Sequence, residues 1–446
     1  MTTAIILAAG MGTRMNSSLP KVLHPIGGKA MVHHVIDLAQ TIQMDQVIVV
    51  ASPYLDQNKL KSDRLIDVVV QEDPKGTGDA VRVALSAVAD DEQDILILSG
   101  DVPLIEFETL QPLFEKRQSC PHDLLVLAMR VDDPRQYGRL ITDGDVVSEI
   151  VEFKDATPEQ RDINLCNAGV YLVPVKILRR LIPQLSAENA AGELYLTDCI
   201  ALSQENGFTA RYVETPAPET LNGVNNRAEL AQAEQIMQKR WRQRMMLSGV
   251  TLLDPDSVYF SHDTIIGKDT IIHPHVTFGC GVIIGNDVTV LPFCHMAQCA
   301  VNAGASIGPF AHLRTGAVIG EQAAVGNFVE IKDTTLGAKA KVKHLSYLGN
   351  AQIGARANIG AGTITCNYDG FNKSPTYVGE DAFVGSNTSL VAPVQIGEGA
   401  IVAAGSVITD NVPEHSLGIA RQQQTNKPVW AKNFRTTASE LKKQKG

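Results

Sequence analysis

From Ile266 to Ile408 an aliphatic or similar apolar residue returns at every sixth position, with occasional five-residue steps. The anchors are Ile266, Ile272, Phe278, Ile284, Val290, Met296, Val301, Ile307, Leu313, Ile319, Val325, Ile331, Leu336, Val342, Leu348, Ile353 and Ile359. After a pause they resume at Val378, Val384, Leu390, Ile396, Val402 and Ile408. This spacing matches neither the ~3.6 period of an amphipathic helix nor the ~2.0 of a half-buried strand, so it predicts a parallel β-helix with one hexapeptide per face. Three hexapeptides close a triangular coil. Coils stacked at ~4.8 Å give about eight to ten of them in a prism roughly 40 to 50 Å long. Glycine after the anchor, as at Gly267, Gly285, Gly308, Gly320, Gly326, Gly354 and Gly397, is expected at corners where a Cβ would strain the turn.

A chain of 446 residues exceeds the ~250 to 300 at which single cores usually divide, so a second domain is expected. Before residue 225, strand candidates at 4–7, 47–50, 68–70, 95–98 and 124–127 alternate with helical spacing at 31–42 and 78–88. That alternation predicts an α/β, Rossmann-like domain with a mostly parallel sheet. Asn226 then suits a helix cap, with Glu229 placed as in a capping box, ahead of a helix from Arg227 to Leu247 ending near Gly249. Its stripe of Leu230, Met237, Trp241 and Met245 marks a rigid connector. The expected divisions are 1–226 (α/β domain), 227–248 (linker helix), 249–428 (β-helix) and 429–446, a basic tail read as a disordered, solvated terminus.

The net charge of −10 and pI near 5.6 argue against a general nucleic-acid or membrane-surface role. Seven cysteines without a CxxC pair fit reduced thiols in a cytosol, so the expected location is cytoplasmic. No stretch approaches the ~20 apolar residues of a membrane span.

Directly after the first strand comes Leu7-Ala8-Ala9-Gly10-Met11-Gly12-Thr13-Arg14, with Pro20-Lys21 beyond it. The loop lacks both the GK[ST] ending of a P-loop and the third glycine of a dinucleotide fingerprint. Small residues admit a nucleotide close to the backbone, and Arg14 and Lys21 can neutralise a triphosphate. Ser99-Gly100-Asp101 closes an apolar strand, at the carboxyl end where open α/β sheets bind ligands.

The loop resembles the signature of sugar-1-phosphate nucleotidyltransferases. Joined to hexapeptide repeats, the chain resembles the bifunctional N-acetylglucosamine-1-phosphate uridyltransferase/glucosamine-1-phosphate acetyltransferase family along essentially its whole length. The resemblance implies that Leu7, Ala8, Ala9 and Gly10 line uridine and phosphates, that Arg14 and Lys21 meet the phosphates, and that Gln71, Gly76 and Thr77 hold uracil, beside Ser99 and Gly100. It places Gly138, Glu152 and Asn167 around N-acetylglucosamine and makes Asp101 and Asn225 the ligands of Mg²⁺, a pair of oxygen donors that suits the ion. Each residue alone has a plainer explanation: Asp101 as a loop cap, Asn225 as part of the helix start, Glu152 as a surface ion-pair partner. Their order along the chain favours the site.

On the prism, Lys343-His344-Leu345-Ser346-Tyr347 precedes an insertion at Thr365-Cys366-Asn367-Tyr368-Asp369-Gly370 that a regular stack does not need. Within the resemblance His344 is the general base accepting a proton from the amine of glucosamine 1-phosphate, a step suited to imidazole. Arg314, Lys332, Tyr347 and Asn358 are assigned to that sugar phosphate, and Ala361, Asn367, Tyr368, Ser386, Ala404 and Arg421 to acetyl-CoA. The implied substrates are acetyl-CoA, glucosamine 1-phosphate and UTP, and the implied assembly is a homotrimer with acetyltransferase sites built between subunits. Cys366 is read as a packed or CoA-facing thiol, giving direct transfer rather than an acetyl-enzyme.

Met11, Asp79, Thr315, Ala168 and Asn350 depart from the family pattern, Asp79 standing where a histidine is frequent. Two other readings are a sugar nucleotidyltransferase whose β-helix serves only assembly or regulation, and a non-catalytic scaffold. His344, Lys332 and the Asn367-Tyr368 loop weigh against the first, and the intact Gly10–Arg14 loop and Asp101 against the second.

Overall fold

The computed structural model describes residues 2–60, 66–89 and 93–444, which form two units. One runs to Arg244 and takes in Phe260–His262; the other holds Met245–Tyr259 and continues from Asp263.

The first unit is built on a nine-stranded sheet in the order Asp67–Val70, Gln46–Ala51, Thr2–Ala8, Asp94–Ser99, Leu165–Pro174, Leu124–Arg130, Ala210–Glu214, Val146–Val151, Arg139–Asp143. All but Val146–Val151 and Leu165–Pro174 run in one direction, as the sequence predicts. Side chains alternate across the sheet. Ile5, Ile48, Val50, Ile95 and Ile97 pack on one face against Ala80, Val81 and Ala84, while Ala4, Ile6, Val47, Val49, Leu96 and Leu98 pack on the other against Val32, Val35 and Ile36. With both faces covered, the central strands read as unbroken apolar runs, and only their carboxyl ends remain for polar work. Leu7 pairs with Ser99 and Ala8 with Ala51, so the segments after these strands leave from one edge.

The helix predicted after Asn226 spans Arg227–Leu247. Asn226 Oδ1 accepts the N–H groups of Ala228 and Glu229, each at 3.0 Å. The Glu229 carboxylate takes the Asn225 N–H at 2.7 Å, one residue upstream of a capping box. The connector expectation is corrected in part. Up to Arg244 the helix belongs to the first unit, where Leu230, Ile236, Met237 and Trp241 pack around Ile26, Met31, Leu104 and Val224.

In the second unit all the sixfold anchors are buried, and the hexapeptides stack into parallel strands, ten of them in one sheet. Two expectations change. Gly308 does take a left-handed conformation, with φ +95°, but the other anchor-following glycines are demanded by the neighbouring coil rather than by turn strain: a Cβ on Gly326 would stand 1.9 Å from the Lys343 carbonyl oxygen, and one on Gly354 2.4 Å from the Glu380 nitrogen. Left-handed corners are held largely by other residues, among them Asp287, Phe293, Phe310, Gln322 and Phe328. The pause after Ile359 is also shorter than the apolar pattern indicates. Thr365 occupies an anchor place, 1 % exposed and paired with Leu390, with its hydroxyl accepting the Gly349 N–H at 2.8 Å. The tail read as disordered forms a helix, Trp430–Gln444, whose side chains are exposed throughout.

Candidate active sites

Leu7, Ala8, Ala9, Gly10, Lys21, Gln71, Gly76, Thr77, Ser99 and Asp101 line one cavity of about 380 Å³ in the first unit. Gly100, expected beside them, does not line it; it packs behind, where its N–H donates to the Leu7 carbonyl at 2.9 Å and a Cβ would meet that oxygen at 3.1 Å. Arg14 and Asn225 line a second cavity of about 460 Å³ with Tyr137, Gly223 and Glu229.

The two cavities meet at a polar cluster. Lys21 Nζ donates to Asp101 Oδ2 and, at 3.2 Å, to Asn225 Oδ1; Arg14 Nη2 reaches the same Asn225 oxygen at 3.1 Å. The Val224 N–H donates to the Asp101 carbonyl at 2.9 Å, tying the segments together. Gly12 makes the close approach feasible: its φ is +62° and an added Cβ would stand 2.4 Å from Lys21 Cβ. A carboxylate and an amide oxygen thus converge on one cationic centre, here an ammonium. That donor set suits a hard divalent cation.

Gly138, Glu152 and Asn167 also come together. A Cβ on Gly138 would lie 3.5 Å from Glu152 Oε1 and 3.6 Å from Asn167 Cβ. The strand Leu165–Pro174 bulges between Asn167 and Val170, and Gly169 there faces Ser99 Oγ, 3.6 Å from its added Cβ. Asn167 accepts the Gly169 N–H at 2.9 Å and donates to the Tyr171 hydroxyl at 2.7 Å. Burial pushes the Glu152 carboxyl above its ordinary range, opposed by the Thr197 hydroxyl donating at 3.2 Å.

Sequence reasoning misses Glu193 and Thr197. Both lie in a segment that closes over the Lys75–Gly78 loop: Leu194 N–H donates to Lys75 O at 2.7 Å, Gly78 N–H to Leu194 O at 2.8 Å, and Leu196 N–H to Thr77 Oγ1 at 3.0 Å. Nothing in its composition marks it: its contacts to Lys75–Gly78 use its own backbone, and the Thr197 side chain reaches Glu152 across the fold.

On the prism, Ala361, Ser386 and Ala404, three of the positions expected to meet acetyl-CoA, follow one edge. Successive coils are joined there by Leu345 N–H to Asn327 O, Gly362 N–H to His344 O, Asn387 N–H to Ala361 O and Gly405 N–H to Ser386 O. Ala404 precedes Gly405, and a Cβ on Gly405 would lie 3.9 Å from Arg421 Cδ. His344 is exposed, and its Nδ1 lies 2.6 Å from Asn327 Oδ1, its register partner one coil back. An amide oxygen only accepts, so Nδ1 carries a proton, and in the neutral form of the ring the lone pair is therefore at Nε2. Asn327 was not foreseen. Its signal is a separation of one coil, which becomes informative only once the coil length there is known.

Lys332 and Tyr347 share the adjoining sheet, where Lys332 pairs with Gly349 and the Tyr347 ring lies over Gly349, and Arg314 directly follows its strand His312–Leu313. Arg314 is held by Glu330 at 2.6 Å. Asn358 stands in the ten-stranded sheet between Lys341 and Phe383. In the insertion Asn367 is buried and donates to Asn350 Oδ1 at 2.6 Å, while Tyr368 is 61 % exposed with its hydroxyl donating to Gly370 O at 2.5 Å. Cys366 is half-buried and pairs in register with Val391.

Residues 4–196 match the MobA-like NTP transferase domain, and residues 258–298 and 375–410 match the bacterial transferase hexapeptide of six repeats. The chain is 48% identical to the bifunctional protein GlmU of Paramagnetospirillum magneticum over 443 residues, 99% of this chain and 98% of that protein. It is 48% identical to GlmU of Zymomonas mobilis over 438 residues, 97% of each chain, and 45% identical to GlmU of a Jannaschia species over 441 residues, 98% of this chain and 96% of that one.

Proposed function

The chain belongs to the family of bifunctional GlmU proteins, and we propose that it carries out both reactions that family resemblance implies. The first transfers acetyl from acetyl-CoA to glucosamine 1-phosphate. The second joins the N-acetylglucosamine 1-phosphate so formed to UTP, giving UDP-N-acetylglucosamine and diphosphate, a precursor for peptidoglycan and lipopolysaccharide. We assign uridyl transfer to residues 1–226 and acetyl transfer to the β-helix, 249–428. The observation that carries the reading is the convergence of Lys21, Asp101, Asn225 and Arg14 where two ligand-sized cavities meet.

In uridyl transfer a phosphate oxygen of the sugar phosphate attacks the α-phosphorus of UTP, and the bond to the bridging oxygen breaks as diphosphate leaves. Both reactants are anions, so the chain must offset their repulsion and hold them in line. Gln71, Gly76 and Thr77 hold the base, the Leu7–Gly10 backbone follows the ribose and phosphates, and Lys21 and Arg14 meet developing negative charge. Gly138, Glu152 and Asn167 orient the sugar. Asp101 and Asn225 would hold Mg²⁺, which when bound neutralises phosphate charge; Lys21 is then freed toward the phosphates.

In acetyl transfer the sugar amine attacks the thioester carbonyl, the C–S bond breaks, and CoA leaves as thiolate. His344 Nε2 takes the amine proton, while Asn327 keeps the opposite nitrogen protonated and the ring oriented. Arg314 and Lys332 receive the phosphate, so the Arg314–Glu330 pair must yield to it. The exposed His344 edge supports a site completed by another copy, and we assign a homotrimer working in the cytoplasm. Among the described residues no helix is long and apolar enough to cross a membrane.

A coupled assay with glucosamine 1-phosphate, acetyl-CoA, UTP and Mg²⁺ tests both activities together. Release of CoA without diphosphate, or the reverse, would reduce the assignment to one reaction.

A further inference from the structure

Asp79 stands where the family pattern has histidine and is 2 % exposed, in the first turn of the helix Thr77–Leu85. Its two oxygens are divided. Oδ1 takes Arg82 Nε at 3.0 Å and Arg82 Nη2, and Oδ2 takes the side-chain amide nitrogen of Gln71 at 2.7 Å. The same Gln71 nitrogen donates to the Gly76 carbonyl at 3.1 Å. A carboxylate and a carbonyl can only accept, so both amide protons of Gln71 are consumed and the amide cannot turn over. Gln71 Oε1 has no hydrogen-bond partner among the described residues, and Gln71 lines the nucleotide cavity.

We propose that Asp79 is a positioning residue for base selection: by clamping the Gln71 amide it leaves a single acceptor, Oε1, facing the base, and so favours pyrimidines that carry a ring N–H. Uracil presents N3–H to that acceptor. Cytosine presents a lone pair at the same place, leaving two acceptors opposed in a buried site with no proton between them, a mismatch that binding sites reject strongly. Thymine has the same N3–H edge as uracil, so the clamp does not separate those two. Arg82, with 59 % of its side chain exposed, fixes Asp79 from the solvent side. Placement in the first turn of a helix also favours the carboxylate form. The proposal rests on the reading that this cavity binds UTP, which turnover of UTP by the unaltered protein tests separately.

The experiment measures kcat/KM for UTP, CTP and dTTP in the full-length protein and in Asp79→Leu, Asp79→Ala and Asp79→Asn, with acetyl transfer and thermal melting followed alongside. In the Leu and Ala variants the UTP to CTP preference is expected to fall about tenfold or more, through KM, because the amide is free to turn. The UTP to dTTP ratio should stay as in the parent. Asp79→Asn, whose amide oxygen can still accept from Gln71 once Arg82 swings into solvent, should keep the preference within about threefold. An unchanged UTP to CTP ratio in either apolar variant, an equal loss for all three nucleotides, or loss of the fold in both would make Asp79 a structural residue only and overturn the proposal.

Discussion

Lys21 and Asp101 form an ion pair with only 13% and 20% of their side chains exposed, and the same ammonium reaches Asn225. The lysine therefore occupies the oxygen pair that a divalent cation would take, and the phosphates of a nucleotide would offer its ammonium a new partner. Asp101→Ala is expected to lower UDP-N-acetylglucosamine formation at least about a hundredfold, while CoA release from acetyl transfer persists. Mg²⁺ added with UTP should raise the melting temperature of the parent and not of the variant. Substantial retained uridyl transfer would remove Asp101 from this role.

Asn327 holds the Nδ1 side of His344. His344→Ala should cut acetyl transfer by ~10² to 10⁴. Asn327→Ala, which leaves the imidazole but not its orientation, should cost up to about a hundredfold in kcat. Its KM for acetyl-CoA should hardly change and diphosphate release should stay at the parental rate. A loss confined to KM would instead assign Asn327 to substrate binding.

Thr365 fills an anchor position that the apolar rhythm leaves blank, and its hydroxyl serves the buried Gly349 backbone. Thr365→Val keeps the shape and exchanges the hydroxyl for a methyl, yet it strands the Gly349 N–H and should cost about 1 to 3 kcal/mol. Thr365→Ser should cost less. Leu348→Ala, a large-to-small change at an ordinary anchor, should cost about 2 to 5 kcal/mol. Urea midpoints of the β-helix transition at constant slope measure all three. A Thr365→Val protein as stable as the parent would mean that Gly349 finds another partner.

Burial raises the Glu152 pKa, so the folded state binds that proton more tightly than the unfolded chain does. The resulting stability is present below the unfolded value near ~4.3 and is lost as pH rises through the higher folded value. Glu152→Gln should therefore melt above the parent at neutral pH, with the gap closing as pH falls toward the ordinary glutamate range. Its uridyl transfer should decline, with KM for N-acetylglucosamine 1-phosphate rising. A gap independent of pH would show that the charge of Glu152 is not what burial penalises.

Cys366 sits in a regular strand place opposite Val391, with no base hydrogen-bonded to its thiol among the described residues. Cys366→Ala should retain acetyl transfer within about threefold, and initial-rate plots should intersect, as direct transfer in a ternary complex requires. Parallel lines in the parent together with an inactive Cys366→Ala would establish an acetyl-enzyme instead.

The β-helix was legible almost residue by residue because each anchor such as Val342 or Leu390 must be buried wherever the coil goes. The loop Leu7–Arg14, Lys21 and Asp101 were legible because their chemistry and their place after strands coincide. Less was visible where the backbone carries the contact. The segment Glu193–Thr197 closes on Lys75–Gly78 through main-chain groups, and Thr365 replaces an apolar anchor because a local carbonyl and N–H satisfy it. The polarity of the tail predicts disorder, yet Trp430–Gln444 is helical, with none of its residues buried.

By itself the sequence determined the sixfold solenoid, the α/β layer ahead of it and the helix that follows Asn226, because periodicity and capping are local and repeat along the chain. Only the tertiary structure decided that Lys21 would lie between Asp101 and Asn225, that Asn327 would hold His344 from the preceding coil, and that Asp79 would fix the amide of Gln71. Those pairings depend on which distant atoms meet within ~3 Å, a distance set by packing rather than by spacing in the chain.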